Sequence, residues 1–245
     1  MRTGLAIVTC VPTGCPDEVR KRLPAALDSL RHTGFPGPVS IIDDGSTDPA
    51  HLAFLEFTAS KANVIRRPRR GGIARAKNTA LRVLQGSDVD IGFLAEDDIE
   101  FSPGWWEAYI EAHVATRIHH FSWAWDEDPS GEMQKTERMI NNFPVVETSR
   151  VNGVFLTFTP KVLQIVGGFK ILPALWGHEH TQWSRRMVQA NLAPFFADLP
   201  HSDRYLRLNS FANYSAISDG DRDRFDGENA PYAEILDPIF EPLTE

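Results

Sequence analysis

The feature that most constrains this chain is a series of short apolar runs, several ending in acidic turns, that alternate with helical patterns. Residues 5–9 form the first run. Residues 39–42 form the second and stop at Asp43-Asp44-Gly45-Ser46. Residues 63–66 form a third, and residues 90–95 a fourth that stops at Glu96-Asp97-Asp98. Between them, Val19, Leu23, Leu27 and Leu30 recur at helical spacing within residues 17–32, where Pro24 predicts a kink or a split. Ile73, Ala76, Ala80, Leu81 and Leu84 do the same within residues 73–85. This rhythm predicts an α/β fold with a mostly parallel central sheet and helices on both faces. Ligands of such sheets bind beyond the carboxyl ends of the strands. The acidic clusters fall at those ends.

The second half is less regular. Helices are expected over 103–117 and 181–191, with a short one over 160–166 stopped by Gly167-Gly168. Strands are expected over 121–125, 151–159 and 193–199, and a polar loop over 126–142. No repeat, low-complexity stretch or linker divides the chain. The expectation is therefore a single domain over 1–245, with a nucleotide-binding half (1–100), an acceptor and catalytic half (101–212) and an acidic segment (213–245) that reads as a solvated tail.

A chain of 245 residues suffices for one well-buried domain. The formal net charge is -8, and most of that excess lies after residue 120, which argues against general nucleic-acid binding. No apolar run is long enough to span a bilayer. The apolar run at 5–9 is too short for a signal peptide and reads as a first strand. Cys10 and Cys15 can pair or stay free, but two neighbouring thiols are not a disulfide framework, and a reducing cytoplasm is the expected location.

Four clusters carry candidate chemistry. In Asp43-Asp44-Gly45-Ser46-Thr47-Asp48, a strand-end carboxylate can accept hydrogen bonds from a nucleobase or ribose; the same residues also suit a turn capping the next helix. In Gly71-Gly72-Ile73-Ala74-Arg75-Ala76-Lys77-Asn78, paired glycines ahead of a helix let amides approach a phosphate, with Arg75 and Lys77 adding positive charge; a plain loop has the same look. The Gly-Lys-Ser/Thr element of a Walker motif is missing. In Glu96-Asp97-Asp98, three adjacent carboxylates repel one another, and a divalent cation such as Mg²⁺ or Mn²⁺ removes that cost; a helix cap ahead of Pro103 accounts for one of them. In Trp176-Gly177-His178-Glu179-His180, a carboxylate among aromatic and imidazole groups suits a general base, and Trp faces stack on sugar rings. The two histidines lack the spacing of helical zinc proteases.

Taken in order, these clusters resemble the GT-A glycosyltransferases over roughly residues 4–205. Residues 41–48 resemble the opening signature of family 2, whose Asp contacts uracil, and Gly72 to Leu81 resembles that family's glycine-led helix, with Lys77 in place of an Arg before Asn78. Phe93 to Ile99 stands where the family has its metal motif. Its Glu-Asp-Asp form, followed by Ser102-Pro103-Gly104-Trp105-Trp106, is closer to N-acetylglucosaminyltransferase I and implies Asp98 as the direct metal ligand. The segments Val166-Gly167-Gly168-Phe169 and Trp176-Gly177-His178-Glu179 resemble the β1,4-galactosyltransferases and polypeptide N-acetylgalactosaminyltransferases, with His180 where an Asp often follows the Glu. Leu199-Pro200-His201-Ser202 resembles the galactosyltransferase segment whose His completes the metal shell.

The resemblance implies a metal-dependent hexosyl- or N-acetylhexosaminyltransferase that moves sugar from a UDP-sugar to a saccharide or other hydroxyl acceptor with inversion. It implies Glu179 as base, and Asp98 with His201 on Mn²⁺ or Mg²⁺. Asp43, Asp44, Gly72, Arg75, Lys77, Asn78, Glu96 and Asp97 are then the donor side. Trp176, Gly177, His178 and His180 are the acceptor side. A retaining transferase needs no such base. A nucleotidyltransferase should show a Gly-rich, Arg-containing loop after its first strand, which Thr9-Cys10-Val11-Pro12-Thr13-Gly14 does not offer. A non-catalytic nucleotide-sugar-binding module would not need clustered carboxylates, a base and a metal histidine together.

Overall fold

The computed structural model describes residues 1–124, 133–212, 219–232 and 239–243. Strands β1 (Thr3–Thr9), β2 (Val39–Asp43), β3 (Asn63–Arg66) and β4 (Ile91–Glu96) are parallel neighbours in the order β3-β2-β1-β4. The sheet continues through β9 (Phe155–Phe158) to β6 (His120–Ser122), with β9 antiparallel to both its neighbours. β1 is buried along its whole length. Leu5 and Ile7 enter one core, while Ala6 and Val8 enter the other. A strand covered on both faces is apolar without alternation, which is why it reads as a continuous run.

Helices fill both faces, as expected. On one face lie α1 (Val19–Arg31), α2 (Pro49–Ala59) and α4 (Trp105–Thr116), through Leu23, Leu55, Trp105 and Tyr109. On the other lie α3 (Ile73–Gly86), α5 (Pro160–Ile165) and α6 (Glu179–Gln189), through Leu81, Val162 and Trp183. α1 runs through Pro24 without splitting. α2 begins where the Asp48 carboxylate accepts a hydrogen bond from the His51 amide at 2.9 Å, with Pro49 opening the helix. No helix among the described residues is long and apolar enough to cross a membrane.

The second half departs from expectation in several places. Within the expected loop 126–142, residues 135–140 form β7 (Lys135–Ile140), paired with β8 (Phe143–Thr148). Asn141 and Asn142 make the turn, with φ of 51° and 64°. Two left-handed residues give a turn whose twist matches its strands. β7 is exposed along most of its length, so it carries no apolar alternation and looks like a loop. Residues 126–132, and Trp125 of the expected 121–125 strand, lie outside the described residues. The expected 151–159 strand is only Phe155–Phe158. The expected 193–199 strand shrinks to β10 (Ala197–Asp198) against β8. β5 (Ile99–Phe101) and β11 (Leu206–Leu208) pair directly after the acidic triplet.

The described part of 213–245, mostly exposed or half-buried, is partly ordered against the domain. It contains α7 (Asp219–Asn229) and a docked strap near the end. There the Glu241 amide donates to the Val166 carbonyl at 2.9 Å, and the Gly168 amide to the Glu241 carbonyl at 2.8 Å. The buried Arg186 guanidinium donates to the carbonyls of Val166 and Ile239 at 2.9 and 3.0 Å. Residues 213–218, 233–238 and 244–245 lie outside the described residues.

One position tests how tightly β4 and β9 pack. A Cβ built on Gly92 would stand 2.4 Å from the Phe158 ring. Gly92→Val should therefore destabilise by about 1–3 kcal/mol through overpacking, read as a lower urea midpoint with an unchanged m value.

Candidate active site

Three acidic or glycine-rich turns meet at the carboxyl edge of the parallel strands. Asp43, fully buried at the end of β2, accepts hydrogen bonds from the Ser46 hydroxyl and, at 3.1 Å, from Arg66 Nε. Asp44 accepts from Arg67 Nη1 at 2.5 Å and from the amides of Gly71 and Gly72 at 3.1 and 2.9 Å. Burial raises the Asp44 pKa, while those amides and Arg67 pull against it. The capping reading of this turn is realised by Asp48, which caps α2, while Asp44 binds across to the loop ahead of α3. Gly72 has φ of 90°, and a Cβ there would stand 2.7 Å from the Leu175 carbonyl oxygen. Only glycine fits that backbone contact. Gly71, Gly72, Ala74 and Arg75 line a pocket of about 140 Å³, closed on the other side by residues 171–175.

The acidic triplet is partly neutralised by the chain's own cations. Arg22 Nη2, from α1, lies 2.7 Å from Asp97 and 2.8 Å from Asp98. The Thr9 hydroxyl donates to Asp97 at 2.6 Å. Asn209 fixes the backbone, donating from its side chain to the Asp97 carbonyl at 3.1 Å and from its amide to the Asp98 carbonyl at 2.8 Å. These contacts relieve part of the expected repulsion, while Glu96 and Asp97 still act to raise the Asp98 pKa. Sequence reasoning missed Arg22 and Asn209. Arg22 left a faint signal, since it stands three residues after Val19 and four before Ala26, on the edge of the buried face of α1.

Lys77 lies elsewhere than expected. It is not presented to a phosphate but is fully buried, with Nζ 2.8 Å from Glu96, 2.9 Å from Glu179 and 3.1 Å from the Gly153 carbonyl. Burial alone would lower its pKa, but the two carboxylates outweigh it and carry it up to about 12. Burial alone would raise the Glu179 pKa, but Lys77 and then His180 hold it well below the usual carboxylate range. His180 Nδ1 stands 3.1 Å from Glu179 Oε1. Glu179 Oε2 is buried without a hydrogen-bond partner among the described residues. Asn78 is also fully buried, and not on an open donor surface. Its side chain donates to the Phe169 carbonyl at 2.9 Å and accepts from the Phe169 amide at 2.7 Å, stitching α3 to the Gly167-Gly168-Phe169 turn.

The expected site residues are thus brought together unevenly. Glu96, Lys77, Glu179 and His180 form one cluster, and Asp97 and Asp98 another around Arg22. Trp176 and His178 are half-buried on the turn leading to α6, and Gly177 is buried between them. His201 is exposed at the head of a short turn over Ser202–Arg204. Among the described residues, no three His, Cys, Asp or Glu side chains gather as a metal-holding group, so Asp98 and His201 do not belong to a preformed three-ligand site. Asp98 itself fits a single carboxylate ligand. Its Oδ1 is buried without a hydrogen-bond partner, and burial pushes its pKa up to about 6 against the pull of Arg22. Cys10 and Cys15 are both free thiols.

Comparison with known proteins bears on the family and the fold. The family described as glycosyl transferase family 2 matches residues 15–170. An uncharacterized glycosyltransferase of Acanthamoeba polyphaga mimivirus is 37% identical over 172 residues, covering 69% of this chain and 66% of that protein. Among solved structures, S. aureus TarS 1–349 in complex with UDP-GlcNAc superposes with a TM-score of 0.57 at 15% identity, covering 89% of this chain and 62% of that one. The mannosyltransferase PcManGT from Pyrobaculum calidifontis, in complex with GDP-Man and Mn²⁺, gives a TM-score of 0.50 at 17% identity, covering 74% and 51%. The chain thus spans between about half and just under two thirds of the length of these proteins. At such low identities the two structural likenesses speak for the fold, a GT-A α/β domain.

The buried junction yields a stability prediction. Lys77→Met strands two carboxylates without their cation and should cost about 3–5 kcal/mol in denaturant unfolding. The Lys77 share of stability is complete below its unfolded pKa of about 10.4 and is lost only as pH climbs through about 12. The Glu179 share is complete above about 4.3 and is lost as pH falls through its lowered folded value. In Lys77→Met the buried Glu179 is no longer held down by the ammonium, and burial raises its pKa. The wild-type minus mutant difference should therefore widen as pH rises above about 5 and then hold to about pH 10. A difference that narrows as pH rises across that window would contradict the assignment.

Proposed function

This chain belongs to glycosyl transferase family 2, and from that premise we propose that it transfers a hexosyl or N-acetylhexosaminyl group from a UDP-sugar to a saccharide or other hydroxyl acceptor, with inversion. The observation that carries the reading is Glu179 Oε2, a buried carboxylate oxygen with no hydrogen-bond partner. Its sister oxygen is held by Lys77 and His180. A buried acceptor atom left unpaired is costly, and an acceptor hydroxyl donating to it supplies the missing bond.

In this reading Asp43 and Asp44 face the uridine, and Gly72 and Arg75 the diphosphate beside the pocket they border. Glu96 and Asp97 shape the donor side. Lys77 and Asn78 serve it through the fold, by holding Glu179 and the Phe169 turn. Trp176, Gly177, His178 and His180 face the acceptor. Asp98, with His201, would hold Mn²⁺ or Mg²⁺, which when bound neutralises the departing diphosphate. The PcManGT complex with Mn²⁺ and the TarS complex with UDP-GlcNAc support the metal and the donor class. The two free thiols support a reducing, cytoplasmic setting.

Lys77 keeps Glu179 ionised, so the carboxylate is ready to accept a proton but binds it weakly. The proton therefore leaves the acceptor hydroxyl as its oxygen bonds to the anomeric carbon. The bond from that carbon to the diphosphate breaks on the opposite face, and UDP carries away the electron pair. Glu179→Gln keeps the size of the side chain and removes this proton acceptor. Turnover at saturating donor should fall about 10²–10⁴-fold, while UDP affinity holds. Near-normal turnover from a stable Glu179→Gln protein would remove Glu179 as base.

A further inference from the structure

The turn that delivers Trp176, His178, Glu179 and His180 has little regular structure of its own. Gly177 and His178 both have positive φ, 95° and 64°. A non-glycine residue in that region persists only where its surroundings hold it. One side of the turn is held by α3, where the Ile73 amide donates to the Leu175 carbonyl at 2.9 Å. The other side is held by a side chain from the C-terminal segment, Asn229. Asn229 Oδ1 accepts from the Ala174 amide at 2.9 Å. Asn229 Nδ2 donates to the carbonyls of Trp176 at 2.7 Å and Gly177 at 3.0 Å, and approaches that of Ala174 at 3.4 Å.

Asn229 is the last residue of α7 and is only 1% exposed. The helix it ends, DGDRDRFDGEN, is a poor helix former, with two glycines and four aspartates in eleven residues. A helix this short and this polar is marginal alone. The carboxamide is suited to its place, since it presents an acceptor to an amide and donors to carbonyls at once. An aspartate of the same shape would keep the acceptor, lose the donors and set negative charge against two carbonyls.

We propose that Asn229 is a positioning residue for glycosyl transfer: it locks the 174–177 turn so that Glu179 and its neighbours face the acceptor, which makes the acidic C-terminal segment part of the transfer machinery. The activity arm of this inference rests on the transferase reading above; the structural arm does not. The test uses the full chain with Asn229→Ala and Asn229→Asp, read by hydrogen–deuterium exchange and by steady-state kinetics with a UDP-sugar.

Both variants should speed amide exchange within residues 174–180 and leave β1 and β4 protected. Transfer kcat should fall by up to about 10²-fold, the scale of a small misplacement of reacting groups, while the KM for the donor and the affinity for UDP stay put. Asn229→Asp should be at least as impaired as Asn229→Ala, which mere loss of side-chain packing would not produce. Unchanged exchange over 174–180 would overturn the clamp. Faster exchange there with unchanged kcat, or a parallel loss of UDP affinity, would overturn the positioning role. If the wild type transfers no sugar, the transferase reading fails, and the exchange result still decides whether Asn229 holds the turn.

Discussion

The structure hangs on one buried ammonium group. Lys77 projects from α3, is fully buried, and joins Glu96 at the end of β4 to Glu179 at the start of α6. A charge taken out of water is tolerated only when paired and hydrogen-bonded, and here each of the three groups depends on the others. The consequence is geometric. The last residue of β4 and the first residue of α6 cannot separate without exposing or stranding charge. Because the pairing keeps Glu179 ionised, the same contact that fixes the fold also sets the chemistry available at that carboxylate.

Around this junction the chain supplies its own counter-charges. Arg22 lies between Asp97 and Asp98 much as Lys77 lies between Glu96 and Glu179. Arg67 and the Gly71 and Gly72 amides do the same for Asp44. Carboxylates gathered at strand ends are thus held in defined positions by partners from α1, α3 and the loop before α3. Among the described residues, Asp98 Oδ1 and Glu179 Oε2 are the carboxylate oxygens of this edge that are buried without a hydrogen-bond partner, and Arg22 Nε is a buried nitrogen in the same state. Both oxygens sit where the acidic strand end and the start of α6 meet, and that position is why the functional reading rests on them.

How much of this was legible depended on the range of the interaction. The buried strands β1, β2 and β4 and the amphipathic α3 announced themselves through local apolar patterning, and the acidic strand ends followed from them. α2 escaped because PAHLAFLEFTA shows no sided pattern, although Asp48-Pro49 is a start signal. β7 escaped because its exposed side chains look like those of a loop, although Asn141-Asn142 marks the turn. The Glu179 motif was visible, but its partner Lys77 is 102 residues away. A lysine next to a glycine-led helix start reads as a phosphate ligand until the fold shows where Nζ goes. Asn229 left no trace at all, since a lone Asn in an acidic stretch carries neither periodicity nor motif.

The central claim is that this domain consumes a UDP-sugar. The most direct measurement follows nucleoside diphosphate release from a panel of UDP- and GDP-sugars by the purified chain, with Mn²⁺ and with chelator. The account predicts UDP release from at least one UDP-sugar, abolished by chelation and accelerated by a suitable hydroxyl acceptor. Release from GDP-sugars alone, or from no donor in the panel under either condition, would contradict it.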